Sequence, residues 1–296
     1  MGTWTEIFGE RQCISPSDDL RKKYLYRLHR LTKRNVIAYY SGWLQNPNAD
    51  GTEINDADMN AFMAVVNKLD RTKGLDLILH TPGGSIAATE ALVKYLKSIF
   101  GNDIRAIVPQ LAMSAGTMMA CSCKEIILGK HSNLGPIDPQ FSGISCQGVV
   151  EEFQQAVNDV TNNPDSLPIW QAVIAKYHPT FIGDCQKAMD WSSTVVKEWL
   201  KESMFCTDEN SEEISERIVK ALSDHASQKT HERHISPDDC AALGLKIVMM
   251  EDNQKLQDAI LSVHHAFIIS LSENMAPIKI VENQNGMRML FGCSRG

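Results

Sequence analysis

The chain has 296 residues, 43% of them hydrophobic, and a formal net charge of -7. That length buries a sizeable core in one or two domains, and an acidic balance with no basic stripe excludes nucleic acid or an anionic membrane as the main partner, because phosphate binding needs concentrated Lys and Arg. No apolar run approaches the roughly 18 residues of a membrane span, and MGTWTEIFGERQ lacks the basic start and apolar core of a signal peptide, so a soluble cytoplasmic protein is expected.

Residues 19 to 34 read as a charged surface helix, and NVIAYYSGWL after them has the β-branched and aromatic content of a buried strand. Asn55 is placed to cap a helix in which Met59, Phe62, Met63, Val66 and Leu69 recur at three and four residues, and Gly74 then punctuates before the strand LDLILH. The alternation continues through the loop TPGGS, a helix carrying Ile86, Leu92, Val93, Leu96 and Ile99, the strand IRAIVP, a helix from Ser114, and the strand EIILG. Such alternation predicts a mostly parallel sheet covered by helices.

From about Gln147 to Leu222 the period is helical, in three or four segments separated by NNPDSLP, YHP and CTDENS. ISPDDCAALGLKIVM predicts a short helix with Ser236 as N-cap and Pro237 at its first position, closing on Gly244 before a short strand. A last helix runs from Gln254 to about Leu271, and its SVHHAFIISL segment offers an apolar face to a symmetric neighbour. IKIVENQNGMRMLF places two strands around Asn285-Gly286, a strong hairpin signal. An isolated hairpin is marginal, so it is expected to join a neighbouring subunit's sheet or to lie over the active-site groove.

Eight cysteines (Cys13, Cys121, Cys123, Cys146, Cys185, Cys206, Cys240 and Cys293) form no CxxC pair, so they are expected to be reduced and mostly buried, with no metal site. The chemistry lies in two loops. In TPGGS, residues 81 to 85, paired glycines between a strand end and a helix start let backbone N–H groups approach an anion or oxyanion closely. One strand later, LAMSAGTMMA puts Ser114 at the start of an apolar helix, where a serine is ordinarily an N-cap; two such loops at successive strand ends favour a nucleophile.

TPGGS, then AMSAGTMMA about thirty residues on, then EIILG and HSNLGPIDPQ, together resemble the superfamily of Clp protease, signal peptide peptidase A and NfeD-type serine proteases, and within it the serine dehydrogenase proteinase family. The resemblance covers roughly residues 35 to 250, including HISPDDCAALGL. It implies an α/β Clp/crotonase-like fold, a spiral of ββα units with a helical C-terminal half, in which Ser114 attacks a peptide carbonyl, Gly84 and Ala115 N–H groups hold the oxyanion, and Gly83 shapes the loop. The expected organisation is an N-terminal helical arm (1–34), the protease domain (35–250) and a C-terminal helix and β-hairpin extension (251–296). Relatives with this fold assemble into rings or stacked trimers, so a homo-oligomer acting on polypeptides is implied, with no cofactor.

Clp protease uses a histidine as base, but within LGPIDPQ this chain has Ile137 and Asp138 where that histidine would fall. The departure points to the Ser-Lys dyad of the other branches, and Lys187 is similar in position to the NfeD-type lysine. It lies beside an apolar face outlined by Phe181, Cys185, Ala188, Trp191, Val195 and Trp199, so partial desolvation is expected to lower its pKa from about 10.4. Lys176 and Lys197 are the alternatives, with Lys130 less favoured. His131 reads as a helix-start or loop residue, His231 and His234 as structural hydrogen-bonding residues with a site role as the alternative, and Asp138, between Pro136 and Pro139, as part of a rigid turn. Two other functions share the fold: a crotonase-type acyl-CoA enzyme, disfavoured by the serine and by the absence of an evident catalytic Glu, and a non-catalytic oligomeric scaffold.

Overall fold

A computed structural model describes residues 17–141, 143–223, 233–273 and 276–292. The elements in chain order are α1 (Ser17–Thr32), β1 (Asn35–Ser41), α2 (Asp58–Val66), β2 (Leu75–His80), α3 (Ile86–Phe100), β3 (Ile104–Val108), β4 (Leu111–Ala112), α4 (Ala115–Cys121) and β5 (Glu125–Leu128). They continue with β6 (Asn133–Leu134), β7 (Gln140–Phe141), β8 (Ile144–Ser145), α5 (Cys146–Asn162), α6 (Leu167–Ile174), α7 (Phe181–Trp199), α8 (Ser211–Ser223), α9 (Pro237–Leu243), β9 (Ile247–Met249), α10 (Gln254–Leu271), β10 (Lys279–Asn283) and β11 (Arg288–Phe291).

The main sheet runs β11-β10-β1-β2-β3-β5-β9, parallel from β1 to β9 and antiparallel in the terminal hairpin. Strands β1, β2, β3 and β5 are largely apolar on both faces, as a sheet covered on both sides requires, whereas β11 at the edge is half exposed. Ile37, Leu77, Ala106 and Ile126 face one core with α2, α3, α4 and α8, while Val36, Ile78, Ile107 and Ile127 face a second core with α1 and α10. After β2, β3 and β5 the chain steps into a second, smaller layer, where Thr81 pairs with Ala112, β4 pairs with β6, and Leu134 bridges Ile235. A strand, a short second-layer segment and a helix thus recur. The helical segments expected between Gln147 and Leu222 are present, and α9 carries the capping box of Ser236 and Asp239 and a left-handed Gly244.

The first helix shows the expected charged face to solvent, with Asp19, Lys22, Lys23, Arg27 and Arg30 exposed, and its other face, Leu20, Arg21, Tyr24, Leu25 and Leu28, is buried against α10. Three expectations are corrected. The apolar face of α10 is consequently spent inside the chain rather than left for a neighbour. The hairpin neither leaves the chain nor covers a groove, because β10 pairs with β1 from Ile37↔Asn283 to Ser41↔Lys279 and extends the chain's own sheet. Asn55 acts on the α2 entry through a turn, its side-chain oxygen accepting from Ala57 N–H. Cys121, Cys123, Cys146, Cys185 and Cys240 are buried free thiols and Cys206 is exposed; Cys13 and Cys293 lie outside the described residues.

On the second face His80 is fully buried between Trp43 and Tyr40, with ring centroids 4.4 and 5.3 Å away. Burial pushes its pKa down to about 3. The folded pKa therefore lies below the unfolded value, so the contribution of neutral His80 is complete above pH ~6.5 and is lost as the pH falls toward 3. Urea unfolding should lose about 2 kcal/mol between pH 6.5 and 5 on this account, at about 1.4 kcal/mol per pH unit. In His80→Phe, which keeps the ring stack, that part of the slope should vanish.

Candidate active site

Ser114 stands between β4 and α4 with φ 51° and ψ -118°, a left-handed conformation that costs a non-glycine residue energy. Its carbonyl accepts the Met118 N–H, as an N-cap carbonyl should, but its side chain makes no cap hydrogen bond. The hydroxyl is therefore not spent on the ordinary serine role at a helix start. Thr81 and Met113, which flank the turn, are tied by Met113 N–H to Thr81 O at 3.0 Å. That bond brings the ends of the two loops together.

The paired glycines are required by contact as well as by torsion. Gly83 (φ 102°) packs so closely that a Cβ there would stand 2.6 Å from Ser114 Cβ and 2.8 Å from Met113 O. At Gly84 (φ 151°) a Cβ would stand 2.3 Å from Ile54 O. The segment of Ile54 runs alongside Gly84: Ile54 N–H donates to Gly83 O at 2.7 Å, and Ile54 O accepts from Ser85 N–H at 2.9 Å. Gly83 N–H is taken by the Thr81 hydroxyl at 3.2 Å. Among the described residues, the N–H groups of Gly84 and of Ala115, the residue after Ser114, have no backbone acceptor. Two donors on either side of one serine are what an oxyanion hole needs.

These residues open on a cleft of about 790 Å³, which Gly83, Gly84, Ser114 and Lys187 all line. The 73 residues that separate Ser114 from Lys187 in sequence are bridged by the fold. The expected desolvation of Lys187 is not met. Its side chain is 81% exposed and pairs with Asp184 at 3.3 Å, because Lys187 sits at the cleft rim, one step round the helix from the apolar face. Lys197 lies elsewhere, and its hydrogen bond to Glu212, helped by Glu216, holds its pKa up, opposite to what a base requires. Lys176 lines a separate cavity with Tyr177 and Phe181.

Among the described residues no histidine lines the cleft. His131 and His234 are exposed, and His231 lies outside the described residues. At the place of the Clp histidine, Ile137 is a wall residue pinned by its N–H to Leu222 O and by Ser192 Oγ to its carbonyl, and Asp138 is buried behind it. Wall residues such as Glu53, Phe141 and Asp184 escaped the sequence reading, and Trp191, expected on the apolar face of the helix, stands at the wall with its indole N–H donating to Glu90 Oε2 at 3.0 Å. Asp184, Lys187 and Trp191 are spaced three and four apart on α7, so helical spacing alone puts them on one face.

The glycine geometry yields a graded test by thermal unfolding. Gly84→Ala should cost more than the roughly 1–3 kcal/mol of a strained torsion, since Ile54 O blocks the added methyl. Gly101→Ala, also at positive φ but with nothing within 4 Å, should cost only the torsional part.

Comparison with known proteins bears on the same residues. A family model described as ClpP-like SDH-type serine proteinase matches residues 51–254. Two uncharacterized proteins of Methanocaldococcus jannaschii are similar: MJ0137, 30% identical over 190 residues (64% of this chain, 59% of that one), and MJ1495, 26% identical over 168 residues (57% and 52%). The chain spans between half and three-fifths of the length of these relatives. Most of the chain falls within the family match, and both the paired-glycine loop and the Ser114 turn lie inside it, so this protein belongs to the ClpP-like SDH-type serine proteinase family.

Proposed function

We propose that the chain is a cytoplasmic serine endopeptidase working with a Ser-Lys dyad. The observation that carries this reading is the Ser114 turn: a serine in a strained conformation, its hydroxyl unused by the helix it precedes, opening on a cleft beside two N–H groups without backbone acceptors. Ser114 Oγ forms a bond to the scissile carbonyl carbon while its proton passes to Lys187. The carbonyl oxygen becomes an oxyanion held by Gly84 and Ala115 N–H, and Gly83 keeps that loop close. The C–N bond then breaks, the amine leaves with the proton from Lys187, and water hydrolyses the acyl-serine.

Lys187 must lose solvent to act as base at neutral pH. A polypeptide laid in the cleft between Phe141 and Trp191 covers the rim where Lys187 sits, so substrate itself supplies the desolvation. Residues 35–250 form the catalytic unit, a spiral of ββα units, and the segments before and after complete its sheet and second core. The protein acts as a homo-oligomer; exposed Val157, Leu167 and Ile169 on the helical half support self-association. Extended polypeptides are its substrates, and no cofactor takes part.

Intact mass after treatment with a fluorophosphonate tests this. One adduct should form on the wild type, none on Ser114→Ala, and Lys187→Ala should label at least 100-fold more slowly, on the order of a lost general base. An adduct that Ser114→Ala leaves intact, or no adduct on the wild type, would sink the reading. Wild-type labelling of Lys187→Ala would remove the lysine alone.

A further inference from the structure

Behind the cleft lies a buried network anchored on the C-terminal hairpin. Lys279, the first residue of β10, is 1% exposed and pairs at 2.7 Å with Oδ1 of Asp58, which is 0% exposed. The pair's angle lies outside hydrogen-bond geometry, so the contact is ionic; the aligned bond from Lys279 Nζ goes to Glu53 O at 2.9 Å. Asp58 Oδ2 accepts from the Tyr39 hydroxyl at 2.9 Å and from Asn55 N–H at 3.0 Å. Thr81 lies beside the Tyr39 hydroxyl, and Thr81 Oγ1 accepts from Gly83 N–H. Burial pushes the Tyr39 phenol well above its ordinary value, so it remains a donor.

Two routes thus run from one ammonium group to one loop. The first passes through Asp58, Tyr39 and Thr81 to Gly83 N–H. The second passes through the Glu53 carbonyl to Ile54, which grips Gly83 O and Ser85 N–H. Both end on the residues that flank Gly84 and leave Gly84 N–H itself free. A buried ion pair is an inefficient source of stability, because desolvation consumes most of its Coulombic gain, but it fixes positions.

We propose that Lys279 is a positioning residue for hydrolysis, bracing the Gly83–Gly84 loop against Ser114 from outside the segment that the family model matches. The proposal rests on the reading of Ser114 as nucleophile. Its test uses the full chain and a fluorophosphonate, whose phosphoryl oxygen occupies the oxyanion position, with the maximal labelling rate (kinact) and the half-saturating concentration (KI) measured separately. In Lys279→Met and in Tyr39→Phe, which cuts the first route and leaves the ion pair in place, kinact should fall by about 10- to 100-fold, the scale of a misplaced catalytic group. KI should stay within about threefold, as expected when ground-state binding is untouched.

Circular dichroism at the assay temperature establishes that each variant is folded, and if Lys279→Met does not fold, Tyr39→Phe decides. A folded variant with unchanged kinact, or a loss that tracks the unfolded fraction, overturns the brace while leaving Ser114 as nucleophile. A wild type that is not labelled overturns both.

Discussion

The cleft depends on the approach of three backbone segments that leaves no room for side chains. The Ile54 segment, the Gly83–Gly84 loop and the Ser114 turn meet so closely that any Cβ on the two glycines would collide with Ile54, Met113 or Ser114. Each segment comes from a different strand connection, and the hydrogen bonds from Ile54 to Gly83 and from Met113 to Thr81 tie them into one layer above the sheet. Positive φ at Gly83, Gly84 and Ser114 is what this meeting imposes on the chain. Packing of the two cores resists the strain, in the way that over-determined surroundings hold unfavourable torsions at functional sites.

Much of this is legible in the sequence. Apolar strands alternating with amphipathic helices announced a parallel sheet covered on both faces, and local chemistry announced the ends of α9, where Ser236, Pro237 and Gly244 do what such residues do in any helix. The two loops stood out as a pair, because a glycine pair alone reads as a tight turn and a serine before a helix alone reads as an N-cap. The length of Gln254–Leu271 was clear from its period, but not its partner: an apolar face says that something covers it, and only the fold says that α1 does. The same limit misplaced the hairpin, since an edge strand pairs equally well with a foreign sheet or with β1.

The failures at the site have a common physical origin. Exposure of Lys187 turns on a rotation of about one residue round α7, finer than periodicity resolves. Lys279, Asp58 and Tyr39 are invisible as a group because their positions in the chain are unrelated, and each alone reads as a surface charge or a strand aromatic. Burial of a lysine is rare enough that composition argues against it. Trp191 was read correctly as part of an apolar face, yet the face is shared between core and cleft, so a residue in the middle of the pattern ends at the rim.

The hairpin also sets an order on biosynthesis. A ribosome that has released the chain as far as Leu271 has already delivered Ser114, both glycines and Lys187, but not β10. Domains fold as their segments emerge, and contacts between distant segments form last. Asp58 therefore waits, uncompensated, for a counter-ion that arrives among the final residues described, and β1 waits with an open edge. Synthesis of β10 is thus the step that both compensates a buried carboxylate and covers the edge of the sheet.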